Sequence, residues 1–201
     1  GSNQMAYYLL AETLRELGRP LPEQKANYNR AYTCQQTSAI GLISNARLRE
    51  IEGREELAIK HYEEALRRKP LREGYLAVAE LLRRKREFAK ALSNVERLLE
   101  KWKDDSEAIA LRAHIRIDQD DWDGAREDIT KAISLDKGNA FLFGLRAHLH
   151  LQDEKWDAAE ADCEKAISLD KRCYYPYMVR GQIRLLHKND KIGAGSDFGI
   201  A

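Results

Sequence analysis

Residues 106–137 read SEAIALRAHIRIDQDDWDGAREDITKAISLDK, and residues 140–171 read AFLFGLRAHLHLQDEKWDAAEADCEKAISLDK. Laid over one another at an offset of 34, they match at Arg112/Arg146, Ala113/Ala147, Trp122/Trp156 and Ala132/Ala166. The phase runs outward in both directions. One small position recurs as Ala11, Ala46, Ala79, Ala113, Ala147 and Gly181, and a second as Ala58, Ala91, Ala125, Ala159 and Ala194. A third runs Ala31, Ala65, Leu98, Ala132, Ala166, Ala201. Larger residues fill two further rows: Tyr7, Leu42, Tyr75, Ile109, Phe143, Tyr177, and Tyr28, Tyr62, Val95, Ile129, Cys163, Phe198. A fixed period of this length marks an array of supersecondary units.

Small side chains at three offsets let two helices approach closely, and the large residues fill the holes beside them. Each such unit must bury its apolar face on a neighbour, which predicts a quasi-one-dimensional solenoid. A bulkier residue at Ala113, Ala125 or Ala132 is expected to overpack and cost roughly 1–3 kcal/mol.

At these rows the chain resembles the tetratricopeptide repeat family, although only Pro70 keeps that family's closing proline. The resemblance implies an all-α, right-handed α-solenoid of antiparallel helix pairs, A and B. Residues 1–3 read as an expression scar and disordered start, and the resemblance gives 4–201 as a single domain. Its repeats fall at about 4–38, 39–71, 72–105, 106–139, 140–173 and an incomplete 174–201. In the first repeat Gln24 replaces the second alanine. The chain then begins inside a helix A and stops inside a helix B, as a segment excised from a longer protein would.

The run DQDDWDG (118–124) has the look of a calcium loop. With Gly124 at loop position 6, however, position 1 becomes Gln119 and position 12 Thr130, so both ends lack the required acids. The repeat phase puts the run in an A–B turn, with acids beside the start of helix B, where the helix dipole favours them. The histidines His148 and His150 are two apart and point away from each other on a helix, so they do not chelate together. No metal and no cofactor is expected.

Arg112, Arg146 and Arg180 precede the small position, and Asp128, Asp162 and Asp197 follow 16, 16 and 17 residues later. Across an antiparallel pair these positions face one another, which predicts three structural Arg–Asp bridges.

Lys and Arg total 34 against 33 Asp and Glu, so there is no global pull toward nucleic acid or an acidic membrane. The charge is nonetheless polarised. Residues 67–90 hold nine Lys/Arg and three acids, and residues 104–128 hold nine acids and three Arg. The basic clusters RRKPLR (67–72) and RRKR (83–86) fall at opposite turns and form no continuous stripe. Three cysteines without a C-x-x-C argue against a disulfide framework and for a reducing compartment, so a cytoplasmic placement is expected. No apolar run reaches the 18 residues that a spanning helix needs. No phosphate-cradling loop or nucleophile–base set is evident, and the chain is expected not to be an enzyme.

The resemblance implies a non-catalytic interaction scaffold, an adaptor that binds a partner's peptide or helix in the concave groove of the A helices. Carried over residue by residue, the groove takes Arg47, Glu50, Glu80, Arg83 and Arg84 in the N-terminal half. The C-terminal half gives His114, Phe141, His148, Tyr175, Met178 and Gln182. The aromatic, neutral half is the expected anchor. The set of Lys, Arg and Asn with which one subclass clamps chaperone carboxylate tails is missing from these positions. Three other readings stand beside the scaffold: a recruiting arm of a larger, enzymatic protein, a homodimer through the uncapped C-terminal end, and, more weakly, a nucleic-acid adaptor.

Overall fold

The computed structural model describes residues 2–201. Among them are twelve helices in six consecutive A–B pairs. The pairs are α1 (Ser2–Glu16) with α2 (Leu21–Cys34), α3 (Ala39–Ile51) with α4 (Glu55–Arg68), α5 (Arg72–Arg84) with α6 (Phe88–Lys101), α7 (Ser106–Asp118) with α8 (Trp122–Leu135), α9 (Ala140–Gln152) with α10 (Trp156–Leu169), and α11 (Tyr174–Leu186) with α12 (Lys191–Ile200). The all-α helical-repeat class expected from the periodicity is the class observed. The helices group into two compact units, residues 1–98 and 99–201.

In each unit the small rows lie where helices meet. Ala11, Ala46, Ala79, Ala113 and Ala147 are 0% exposed, as are Ala58, Ala91, Ala125 and Ala159. A methyl is the largest group that these contacts admit, and the neighbouring rows supply the volume: Tyr28, Tyr62, Val95 and Cys163 are fully buried. The last member of two rows departs from the pattern. Ala201 lies one residue beyond α12 and is exposed, and Phe198, with its ring against Gly181, is 44% exposed. Gln24, the polar intruder among the alanines, is buried with its amide donating to the Arg19 carbonyl at 2.6 Å. A buried amide costs little once it is bonded.

The A–B turns share one construction. Each A helix is followed by a residue of positive φ: Gly18, Gly53, Arg86, Asp120, Glu154 and Asn189. In the first five turns the next N–H then reaches back to a carbonyl five residues earlier, as Asp121 does to Arg116 at 2.9 Å and Lys155 to His150 at 2.8 Å. This left-handed ending satisfies carbonyls that the helix leaves open. It also explains the acidic run. Asp120 carries the left-handed turn, Asp121 caps α8 by accepting from the Gly124 N–H at 3.1 Å, and Trp122 is the first residue of the helix. A Cβ on Gly124 would run into the Asp121 carboxylate, so the glycine makes room for the cap.

Unit 2 is further locked by ion pairs. Arg112 holds Asp128 through two bonds (2.9 and 2.6 Å), Arg146 holds Asp162 (2.7 and 2.7 Å), and Arg180 holds Asp197 (2.9 and 2.6 Å). The three bridges expected from the sequence are present. A second row joins them. Arg116 bonds both Asp128 (2.7 Å) and the Gly124 carbonyl (2.9 Å), and Arg184 reaches Asp197 (2.9 Å) and the Gly193 carbonyl (3.1 Å). In the middle repeat this place belongs to His150, whose Nε2 stands 3.6 Å from Asp162 and whose Nδ1 is buried with no partner.

Candidate functional site

The A helices α7, α9 and α11 of unit 2 carry the aromatic half of the expected groove. Asp105 caps α7 by accepting from the Ala108 N–H (2.9 Å), and Asn139 caps α9 by accepting from the Phe141 N–H (3.1 Å). The caps fix where each helix begins. Phe141 and Tyr175 are each the second residue of their helix, and His148 and Gln182 follow seven residues later on the same face.

Tyr175 is the centre of the arrangement. Its ring meets Phe141 edge-on at 5.2 Å and His114 edge-on at 5.1 Å, and it tilts toward His148 at 6.1 Å. His114 and Phe141 also meet, at 5.3 Å. Edge-to-face contacts of this kind set a negative ring face against a positive edge. The Tyr175 hydroxyl lies 2.8 Å from His148 Nδ1, in a bond whose direction the imidazole tautomer sets. Gly144 leaves room beside Tyr175 here. A Cβ there would stand 3.2 Å from Tyr175 Cδ1 and 3.3 Å from Pro176 Cδ.

The result is that Tyr175 and His114 are buried at 3% and 6% exposure, while Phe141, His148, Met178 and Gln182 stay partly open. Burial pushes the His148 pKa below its ordinary value against an opposing pull from Asp118, so the imidazole is neutral near pH 7. The open part of the site therefore offers neutral hydrogen-bonding groups, a thioether and an aromatic edge. His148 and His150 diverge, the first toward Tyr175 and the second toward Asp162.

The charged half of the expected groove lies in unit 1, and there the arginines are engaged by their own chain. Arg47 bonds Glu12 (3.1 Å) and Glu50 (2.9 Å) and lies over the Tyr62 ring, while Tyr28 donates to Glu12 (2.8 Å) and Tyr62 to Glu50. Burial opposes the Arg47 charge, yet Tyr62, Glu12 and Glu50 outweigh it and hold the pKa well raised. Arg83 pairs with Glu80 (2.9 Å), and Arg84 with Glu55 (3.2 Å). Sequence reasoning placed these cations on a groove without their partners, although Arg47–Glu50 and Glu80–Arg83 stand three apart on one helix, a spacing at which ion pairs form. Gly144 was also missed as a site residue. Its signal was the change from Ala110 to Gly144 to Met178 along one repeat position.

Burial raises the Cys163 thiol to about 12, so it stays protonated within the core. Among the described residues no cluster of three or more His, Cys, Asp or Glu is arranged to hold a metal ion. No helix among them is long and apolar enough to cross a membrane.

No family model and no curated protein matches the chain. Solved structures do. A tetratricopeptide repeat protein from Parabacteroides merdae superimposes with a TM-score of 0.76 at 23% identity, over 98% of this chain and 77% of that one. A thermophilic TPR protein of Thermus thermophilus superimposes at 0.76 and 19% identity, over 91% and 100%. YrrB, described as a TPR protein with an unusual peptide-binding site, superimposes at 0.57 and 18% identity, over 87% and 90%. The chain has the tetratricopeptide repeat fold.

Proposed function

We propose that the chain is a non-catalytic protein-interaction scaffold, and that it binds an extended peptide or a helix of a partner protein along α7, α9 and α11. The observation that carries this reading is the neutral, partly open surface of Phe141, His148, Met178 and Gln182, resting on the buried Tyr175–His114 pair. An extended peptide presents N–H and C=O groups in series. His148 and Gln182 match them with neutral donors and acceptors, and Met178 adapts to an apolar side chain. The pre-packed rings beneath keep the ordering cost of binding low. Arg47, Arg83 and Arg84 would have to leave carboxylates of their own chain to meet a ligand, so the anchor belongs to unit 2. The peptide-binding site named for YrrB supports the reading by analogy of fold.

The test begins with peptides selected on the wild-type chain from a random library. Their affinities are measured by titration calorimetry against Met178→Ala/Gln182→Ala, which changes two partly open residues and leaves Tyr175 in place. A loss of about tenfold or more, with little dependence on salt, is expected from an anchor of this kind. Equal affinity for wild type and variant, or an affinity that collapses with added salt as charge-driven binding does, refutes the assignment.

A further inference from the structure

Unit 1 pairs most of its arginines. Arg15, Arg47, Arg49, Arg54, Arg68, Arg83 and Arg84 each have a carboxylate within 4.0 Å. Arg30 and Arg86 lie instead over the Tyr7 and Phe88 rings. Two more are Arg67 and Arg97. Neither forms an ion pair among the described residues, and both line the same pocket, about 290 Å³ in volume, between α4 and α6. Leu66, Glu63 and Asn94 complete its wall. Glu63 stands one helical turn before Arg67, the favourable order for an ion pair, yet the two side chains do not join. Arg97 is held in place by the buried Tyr75 ring, with its guanidinium 5.3 Å over the centroid.

We propose that this pocket is a second binding site, which takes an acidic segment of a partner protein. Arg67 and Arg97 close on one Asp or Glu carboxylate from two helices, and Leu66 carries the apolar stem of that side chain. The Asn94 side chain distinguishes a peptide from a bare anion. Its Nδ2 donates to the Lys90 carbonyl at 2.9 Å, so its Oδ1 is the atom left for a ligand. That oxygen, like the Glu63 carboxylate, accepts a hydrogen bond. A peptide supplies N–H donors for both, whereas a phosphate dianion supplies at most one and, with its second negative charge, meets more repulsion from Glu63 than a carboxylate does. The volume suits one or two side chains and lies below the usual range for drug-sized ligands. The local field favours the same occupant, since the cluster RRKPLR (67–72), at the same turn as the pocket, carries four Lys/Arg and no acid. The site shares no residue with the surface on α7, α9 and α11.

The experiment is fluorescence anisotropy on the full chain at low salt, with a labelled peptide of sequence Gly-Glu-Glu-Gly-Glu-Glu-Gly. Arg67→Gln and Arg97→Gln are each expected to weaken binding by about fivefold, the upper end for an exposed charge pair. Arg68→Gln, which removes a neighbouring charge already paired with Glu64 at 3.0 Å, is expected to leave it within about twofold. Arg67 stands on the surface and stacks on nothing, so its variant tests the site even where loss of the Arg97–Tyr75 contact lowers stability. Any one of three outcomes overturns the proposal: no binding by the wild type, an equal loss in Arg68→Gln, or displacement by inorganic phosphate at the concentration at which unlabelled peptide displaces.

Discussion

Replacing Asp128 by alanine should destabilise the chain more than replacing Asp162, although both carboxylates occupy the same position of successive repeats. Asp128 has a 4% exposed side chain and receives bonds from two arginines, Arg112 and Arg116, which are themselves 24% and 26% exposed. Its loss takes the shared carboxylate from both, leaving Arg116 with only the Gly124 carbonyl at 2.9 Å and the exposed Asp121 at 3.5 Å. Breaking a buried pair by removing one partner costs about 3–5 kcal/mol. Part of each guanidinium already reaches water, so the lower end, about 3 kcal/mol, applies to Asp128. Asp162 is 9% exposed and holds one arginine, Arg146, which is 39% exposed and free to turn outward, with His150 a distant 3.6 Å away. Losing a charge-assisted pair of that kind costs about 2 kcal/mol. For a chain of this length each kcal/mol moves the melting midpoint by about 2–4 °C. The expected falls are then about 6–12 °C for Asp128→Ala and about 4–8 °C for Asp162→Ala. Urea and thermal denaturation followed by circular dichroism measure both. If Asp162→Ala loses as much as Asp128→Ala, the ranking by number of arginines held is wrong. If an Asp128→Leu/Arg112→Met/Arg116→Met variant loses the sum of its single changes, the coupling between these residues is wrong as well.

Two further outcomes follow from the same geometry and from the site. His150→Arg should raise stability by about 1 kcal/mol, because an arginine there reproduces the bonds that Arg116 and Arg184 make and removes a buried Nδ1 that has no partner; a lowered urea midpoint would show that the middle repeat has no room for the longer side chain. His148 has a folded-state pKa below the ordinary 6.5 because it is buried, so the unfolded chain binds more protons just below that pH. Its contribution is complete above about 6.5 and is lost as pH falls toward the folded value. The melting midpoint should therefore drop on acidification from pH 7 to about 5, and His148→Gln should flatten that drop; an unchanged pH profile in the variant would place the titrating group elsewhere.

The fold was legible because close helix packing demands small residues, and the demand recurs every turn of the array. Ala113 and Ala147 could be recognised from spacing alone, as could the Arg–Asp bridges, since an offset of 16 joins facing positions of an antiparallel pair. The turn chemistry was harder to see. Asp120 and Glu154 take a left-handed conformation usually given to glycine, and only the bonds back to Arg116 and His150 reveal it. At the site, Phe141, His148 and Tyr175 could be placed on one face by period, but not their exposure. Whether an aromatic stands open or closes over its neighbours depends on the residue opposite, and here that residue is Gly144. The same blindness affected Arg47, because its partner Glu12 lies 35 residues away, where charge and spacing along one helix say nothing.

Tandem arrays are commonly treated as beads that can be duplicated, deleted or exchanged without regard to sequence beyond the adjoining bead. Tyr175 breaks that rule. It grows from α11 yet touches His114 on α7, with Gly144 of α9 leaving room beside its ring. Copying the middle repeat would drive the outer two residues apart by a full bead, and shuffling in a module without the glycine would crowd the Tyr175 ring. These three repeats therefore form a single cassette, to be transplanted whole in any chimera.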